Sequence, residues 1–230
     1  DYVTVAVASN FAATARDVAA QFEEQSNYEI RITTASTGKL YAQIVNGAPF
    51  DVLLAADVER PKRLETGGAG VPGSRFTYAL GELVLWSRQV EDCRAALHSN
   101  AAGRIAIANP ENAPYGAAAK SFLQRSGLWD SLRDRLVIGE NIAQTLQFAA
   151  SGNAQLGFIA ASQLQAPSLP PASCSWPVPD TMHAPLDQQA ILLQRGAASE
   201  GAKSFLLFLR GDAGRAIIRR HGYSLPEVKE

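Results

Sequence analysis

The sequence VASNFAATARDVAAQFEEQSN, residues 7–27, decides how the fold begins. It continues the apolar run Val3–Val7, which has the length and composition of a buried β-strand. The chain then turns over Ser9 and Asn10, two small polar residues typical of a helix cap. Beyond this turn, apolar residues recur at the spacing of one face of an α-helix, at Phe11, Ala15, Val18, Ala19 and Phe22.

Strands and helices continue to alternate along the chain, which predicts an α/β fold. The β-α-β-α-β order of the first third favours a mostly parallel sheet with helices on its faces. A second α/β series follows Gly81, and residues 67–73 and 167–185 are rich in Gly or Pro and predict loops. The predicted strands are 3–8, 28–34, 51–55, 76–87 (broken at Gly81), 105–108, 136–137, 156–160 and 189–193. The predicted helices are 11–25, 39–46, 117–124, 143–150, 202–209 and 214–221.

These two series predict two α/β lobes. We assign residues 1–80 and 186–230 to lobe I, and residues 81–185 to lobe II, which is inserted into it. The chain would cross between the lobes twice, near Gly81 and near Pro185-Leu186. Two crossings form a hinge beside a cleft, which is a common place for a ligand.

Composition excludes several classes of protein. The chain has 230 residues with 47% hydrophobic content, enough for a buried core, and its 21 basic and 22 acidic residues leave no basic excess for nucleic acid. The apolar runs have the length of strands, far below the ~20 residues of a membrane-spanning helix. A signal peptide is not recognised, and a strand at the first residues is expected of a processed secretory product and equally of a shortened chain.

The cysteines and histidines form no metal-binding pattern. Cys93 and Cys174 lack the spacing of a zinc or redox site, and the three histidines are scattered. Two alternatives remain open for the cysteines: two buried free thiols, or one disulfide in an oxidising compartment.

Four predicted strand-to-helix turns share small or hydroxyl-bearing residues. A helix N-terminus has unpaired N–H groups and a partial charge of about +0.5, so several of them aimed at one point would bind an anion without Lys or Arg. In open α/β sheets such turns gather where ligands bind. Each turn by itself is also compatible with an ordinary helix cap. The turns are Ser9-Asn10, Ser36-Thr37-Gly38, Pro114-Tyr115-Gly116 and Asn141-Ile142.

Several segments together resemble the periplasmic molybdate-binding proteins, the solute-binding components of molybdate/tungstate ABC importers. The similarity runs in order from Val3 to Pro226, nearly the whole chain. It implies a two-lobed class II periplasmic-binding-protein fold that holds a tetrahedral dianion in its cleft through neutral hydrogen-bond donors. The segments that carry it are VASNFAATARDVAAQF, TASTGKLYAQIVNGAPFDVLLAAD, GELVLW, IAIANPENAPYGAAAKSFLQRSGLWD and GNAQLGFIAASQL.

The resemblance also implies which residues bind the anion. It places two ligands in the first loop, a hydroxyl and its neighbour in the second, and one backbone donor at each of two turns in lobe II. Some relatives add a tyrosine hydroxyl at the end of the strand GFIAA, where this chain has Ala160, so this contact is absent. The implied oxyanion-binding residues are Ser9, Asn10, Ser36, Thr37, Tyr115 and Ile142.

The function implied by the resemblance is transport, with no enzymatic activity and no cofactor. The protein would capture molybdate and tungstate in the periplasm and deliver it to the membrane permease of an ABC importer. We expect a monomer without a nucleic-acid partner, and no residue that ligates the metal directly, since molybdenum enters as its oxyanion. Cavity size would discriminate against sulfate. The periplasm is oxidising, which favours a disulfide between Cys93 and Cys174 within lobe II.

Other functions remain as alternatives. Another oxyanion such as sulfate is the nearest one, followed by an enzyme or an anion-sensing module on the same fold. An enzyme would need a reactive group, and the four turns contain no histidine or carboxylate. Asp51, Asp57 and Glu82 are interpreted as solvated or capping residues rather than an acid–base set. Lys39 is interpreted as a solvated lysine, with attraction of anions as its alternative.

Overall fold

The computed structural model describes residues 1–99 and 103–227, which form two mixed β-sheets with helices against them. The chain divides into two compact units, Asp1–Leu80 with Asp187–Glu230 and Gly81–Leu186. Within the described ranges, each helix is too short or too polar to cross a membrane.

The strands and helices are numbered in chain order. The strands are β1 Tyr2–Ala8, β2 Glu29–Ala35, β3 Val52–Leu54, β4 Phe76–Gly81, β5 Leu83–Ser87, β6 Ile105–Ala108, β7 Leu136–Gly139, β8 Leu156–Ala160, β9 Cys174–Pro177 and β10 Leu186–Leu192. The α-helices are α1 Ala12–Glu23, α2 Thr37–Val45, α3 Glu59–Thr66, α4 Cys93–Leu97, α5 Pro114–Arg125, α6 Trp129–Leu132, α7 Ile142–Ser151, α8 Glu200–Arg210 and α9 Asp212–Arg220.

The first unit is built on a sheet with the strand order β2-β1-β3-β10-β4. Strand β1 runs parallel to β2 and β3, whereas β10 is antiparallel to β3. Val5 lies in the core cluster that also contains Phe22 of α1 and Phe205 of α8. Ala6 points to the opposite cluster, with Leu40 of α2. Both faces of β1 are therefore covered, which explains why its sequence is a continuous apolar run.

The second unit has its own sheet, in the order β7-β6-β8-β5-β9. Strand β6 is parallel to β7 and β8, and β5 is antiparallel to β8 and β9. Trp86 of β5 packs in a buried cluster with Ile159 of β8 and Ala149 of α7. Cys93 at the start of α4 and Cys174 at the start of β9 form a disulfide that closes a separation of 81 residues.

The structure corrects the predicted elements at several places. Gly81 ends β4 as expected, and the two halves of the predicted 76–87 strand belong to different sheets. The sequence pattern does not predict α3, α4 and α6, which are short; in α3 only Pro61 and Leu64 are buried. Residues 167–185 are predicted to be irregular, whereas β9 lies within this segment. Pairing with β5 and the disulfide hold this strand, and neither contact is local in sequence.

A buried carboxylate ties three parts of the first unit together at the amino end of its sheet. The Asp51 carboxylate accepts hydrogen bonds from the Thr4 backbone N–H and hydroxyl, each at 2.8 Å, and from Arg195 Nη1 at 2.8 Å. The same Arg195 nitrogen donates to the Pro49 carbonyl at 2.9 Å. Asp51 is therefore a buried structural residue, so the interpretation of it as solvated or capping is wrong.

Asp51→Asn should lower the melting midpoint of the free protein by roughly 5–10 °C. The substitution removes the charge that strengthens these hydrogen bonds, a loss of about 2–3 kcal/mol. Differential scanning calorimetry of the variant and the wild type measures the shift in the melting midpoint. The matched control is Asp134→Asn, because Asp134 is 94% exposed and lies 3.8 Å from Arg133; it should shift the midpoint by less than about 2 °C. Equal shifts for both variants would show that the buried network adds no stability.

Candidate functional site

The first two predicted turns lie next to each other at the carboxyl ends of β1 and β2. Ala8 pairs with Ala35 in the parallel register of β1 and β2, so both strands end at the same level. Ser9 and Ser36 follow directly. Because neighbouring strands are about 4.8 Å apart, residues of both turns can reach one small ligand. The first unit therefore brings Ser9, Asn10, Ser36 and Thr37 to one place.

The Ser36 hydroxyl is buried without a hydrogen-bond partner. Ser36 is only 3% exposed and occupies the N-cap position of α2, yet among the described residues its side chain makes no cap hydrogen bond. Its Oγ is one of three buried side-chain N or O atoms that lack a partner within the described part of the chain. An unsatisfied buried polar group costs about 1–3 kcal/mol, so such groups are rare. A ligand at this turn would supply the missing partner.

Thr37 has a hydroxyl that is half satisfied. The residue is 1% exposed, and its Oγ1 accepts a hydrogen bond from the Ala56 backbone N–H at 3.1 Å. This bond ties the start of α2 to the segment that follows β3. A hydroxyl accepts and donates at once, so the O–H hydrogen of Thr37 can still be donated to an anion.

The first turn differs from its predicted form. The chain passes through a 3-10 helix, Ser9–Phe11, and α1 begins only at Ala12. Within the described residues, neither helix start has a side-chain cap hydrogen bond, so the predicted cap by Ser9 and Asn10 is wrong. The reason is that the Asn10 amide is turned into the core, where its Nδ2 donates to Gln188 Oε1 at 2.9 Å.

The second unit repeats the arrangement of adjacent turns. Ala108 pairs with Gly139 at the ends of β6 and β7, and the Asn109 N–H donates to the Gly139 carbonyl at 2.7 Å. Helix α5 then begins at Pro114, with the buried Tyr115 as its second residue. This start lies directly on the end of β6, because a Cβ added at Gly116 would come within 2.1 Å of the Ala108 carbonyl oxygen.

Helix α7 begins beside this turn with an asparagine cap. Asn141 Oδ1 accepts from the backbone N–H groups of Ala143 and Gln144, each at 3.0 Å. The Asn141 side chain thus accepts from the second and third N–H groups of α7. The first N–H group of the helix is that of Ile142, to which this side chain is not bonded. The predicted backbone donor therefore lies at the positive end of the helix dipole, next to a side chain that already has its partners.

Gln163 lies outside the six predicted site residues. Its Oε1 accepts from the Ala160 N–H at 2.9 Å, and its Nε2 donates to the Ile142 carbonyl at 3.0 Å. Gln163 thus links the end of β8 to the start of α7. Ala160 is the position where some relatives of the resembling family carry a tyrosine. Ile142 and Gln163 lie 21 positions apart, so no local sequence pattern indicates this link.

The predicted donors in each unit are neutral groups. None of the six predicted site residues is a Lys, Arg, His, Asp or Glu. Asp57 is held by the side chain and backbone N–H of Arg60, and Lys39 is exposed and makes interactions of its own. In residues 1–99 and 103–227, no group of three His, Cys, Asp or Glu residues is arranged to hold a metal ion. The neutral N–H and O–H donors of the predicted turns suit an anion.

The second unit also has a surface cavity of about 720 Å³ at the other ends of its strands. Arg104, Arg135 and Gln155, which line it, precede or begin the segments that enter β6, β7 and β8. The predicted donors follow the carboxyl ends of these strands. The cavity is therefore separate from the candidate site.

Comparison with known proteins identifies close relatives. Residues 3–224 match the family described as bacterial extracellular solute-binding protein. The molybdate-binding protein ModA of Azotobacter vinelandii is 44% identical over 226 residues, covering 97% of this chain and 90% of that protein. ModA of Rhodobacter capsulatus is 42% identical over 224 residues, covering 96% and 87%.

A solved structure agrees over the same length. The Azotobacter vinelandii periplasmic molybdate-binding protein matches with a TM-score of 0.92 and 38% identity, over 98% of this chain and 100% of that chain. The resemblance inferred from the sequence and the predicted two-lobed α/β fold are both confirmed.

Proposed function

We propose that this chain, a member of the bacterial extracellular solute-binding protein family, binds molybdate in the periplasm for an ABC importer. Two relatives that are 44% and 42% identical are named molybdate-binding proteins, which supports the ligand. The single structural observation that carries the proposal is the buried, unpartnered hydroxyl of Ser36 at a turn beside Ser9.

We propose that the anion takes its donors from both units. The first unit would contribute the Ser9 turn and the hydroxyls of the α2 start, and the second would contribute two backbone N–H groups. Hydrogen bonds from neutral donors to an anionic oxygen are about twice as strong as neutral pairs, and helix N-termini add a favourable dipole. The proposed ligand residues are Ser9, Asn10, Ser36, Thr37, Tyr115 and Ile142.

Selectivity follows from the size of the anion. Molybdate and tungstate are larger than sulfate but have the same charge and tetrahedral shape. A shell of fixed donors that fits the larger anions leaves sulfate short of some contacts. Hydrogen phosphate carries a proton that needs an acceptor, whereas the backbone groups proposed here are donors. We therefore propose that tungstate binds as well and that sulfate and phosphate bind weakly.

The remaining features of the proposal follow from the same site. The four turns present no acid, base or nucleophile matched to neutral pH, so we propose a binding protein without enzymatic activity or cofactor. It would act as a monomer, without nucleic acid, and pass the anion to the membrane permease. The two units would serve as the lobes of the protein, with the chain crossing near Gly81 and Leu186.

A melting series with four anions tests the proposal. At a hundredfold excess over Kd, molybdate and tungstate should each add about 2.7 kcal/mol, which raises the midpoint by roughly 5–10 °C. Sulfate and phosphate at equal concentration should give a small shift or none. The molybdate shift should persist in added sodium chloride, because neutral donors are screened less than exposed lysines.

The same series can reject the proposal. A sulfate shift equal to the molybdate shift would refute selection by size and with it the ligand. If none of the four anions changes the midpoint, the anion site itself is wrong. Between about pH 6 and 8 the molybdate shift should stay constant, since none of the proposed donors titrates there.

A further inference from the structure

A buried polar cluster includes Asn10 of the first turn. It consists of Asn10, Tyr78, Gln188 and Tyr223, whose exposed fractions are 6%, 3%, 0% and 5%. Gln188 Oε1 accepts from Asn10 Nδ2 at 2.9 Å and from the Tyr78 hydroxyl at 3.2 Å.

Asn10 is held in this cluster from two sides. Its Nδ2 donates to Gln188 Oε1 and to the Tyr223 hydroxyl, at 2.9 and 3.0 Å. The Tyr223 hydroxyl in turn donates to the backbone carbonyl of Asn10 at 2.9 Å. Both the side chain and the backbone of Asn10 are thus fixed by residues 178 and 213 positions away in sequence.

Aromatic packing completes the support of the turn. The Phe11 ring, one residue beyond Asn10, meets the Tyr78 ring edge-on at 4.7 Å and lies 5.4 Å from the Tyr223 ring. Tyr78 lies on β4 and Gln188 on β10, which are neighbours in the sheet. Side chains locked by packing and hydrogen bonds are what a fixed donor requires.

We propose that Gln188 and Tyr223 are positioning residues for anion selectivity, an inference that rests on the proposed function. They turn the Asn10 amide inward, so that the turn offers its backbone N–H and the Ser9 hydroxyl to the anion in one fixed arrangement. Donors on a fixed turn cannot move closer to a smaller anion such as sulfate. A loosened turn loses affinity for molybdate through the cost of ordering and adapts better to sulfate.

Tyr223→Phe is the variant that tests this inference. It keeps the ring beside Phe11 and removes the hydroxyl that makes two hydrogen bonds to Asn10. By calorimetry, the Kd for molybdate should rise roughly 5- to 30-fold, equivalent to one or two such bonds. The ratio of sulfate Kd to molybdate Kd should fall at least about threefold. Gln188→Leu should act in the same direction.

A general loss of protein stability must be distinguished from a loss of the fixed position of Asn10. Asp51→Asn is the control, since Asp51 stabilises the opposite end of the same sheet and should leave the Kd ratio unchanged. A readout without ligand is amide hydrogen exchange in the free protein. In Tyr223→Phe, the Ala12 amide, which donates to the Ser9 carbonyl, should exchange faster relative to the Val5 amide of β1, whereas Asp51→Asn should leave this ratio unchanged.

The outcomes distinguish this inference from the proposed function. If wild type binds molybdate selectively and Tyr223→Phe keeps its Kd ratio and its exchange pattern, the positioning role is refuted and the function stands. An equal fall in the Kd ratio for Asp51→Asn would also refute it. If wild type binds none of the anions, the function fails, and unchanged amide exchange in Tyr223→Phe would then reject the support of the turn independently.

Discussion

Ser36→Ala should weaken molybdate binding by roughly 10- to 150-fold, the loss of one hydrogen bond to a charged acceptor. The free protein should be at least as stable as wild type. Both expectations have one cause: the Ser36 hydroxyl is buried without a partner in the described protein, so its removal breaks nothing and relieves a desolvation cost. Calorimetric titration gives the affinity, and a melting curve without ligand gives the stability.

Ser199→Ala is a matched control, because Ser199 is also an N-cap serine of the first unit. Its hydroxyl accepts from the Ala202 N–H at 3.1 Å and so caps α8. This variant should lose about 1 kcal/mol, or roughly 2–4 °C, and keep its affinity for molybdate. If Ser36→Ala instead loses stability and keeps its affinity, Ser36 is an ordinary cap and no ligand contact.

Two neighbouring variants refine the same prediction. Thr37→Ala should lose affinity and stability together, because its hydroxyl also accepts from the Ala56 N–H. Tyr115→Phe keeps the backbone N–H that is proposed as the donor, so its affinity should stay near that of wild type. A larger loss of affinity for Tyr115→Phe than for Thr37→Ala would mean that the donors are wrongly assigned.

Replacing Cys93 and Cys174 together by serine should give the largest loss of stability. The disulfide closes a separation of 81 residues, and in the chain-entropy model such a crosslink contributes about 4 kcal/mol. The midpoint should therefore fall by roughly 8–15 °C. Calorimetry of the double variant, and of wild type with and without reductant, measures this loss.

The disulfide variant should still bind molybdate. Cys174 pairs with Ser87 in the β5–β9 ladder, whereas the proposed donors Tyr115 and Ile142 lie in the first turns of helices that follow β6 and β7. The Kd, measured below the lowered midpoint, should stay within about threefold of wild type. A midpoint within about 2 °C of wild type would show that the crosslink adds no stability.

Much of the fold could be predicted because its signals are local. The apolar run of β1, the helical spacing in α1 and the turn residues between them each depend on neighbours a few positions apart. The break at Gly81 was likewise readable from one glycine in a long apolar segment. Segments with weak local signals were missed: α3 has only two buried residues, and β9 exists through its contacts with β5 and Cys93.

The candidate site shows the same difference between local signals and long-range contacts. The sequence alone determined that the chain alternates strands and helices and that four turns carry small polar or backbone donors, since turn chemistry belongs to single residues. The tertiary structure alone decided what these donors do. Register aligns Ser9 with Ser36, burial leaves the Ser36 hydroxyl unsatisfied, and Gln188 turns the Asn10 amide inward across 178 residues. Register and hydrogen-bond partners are set by the packing of distant segments, which no local pattern encodes.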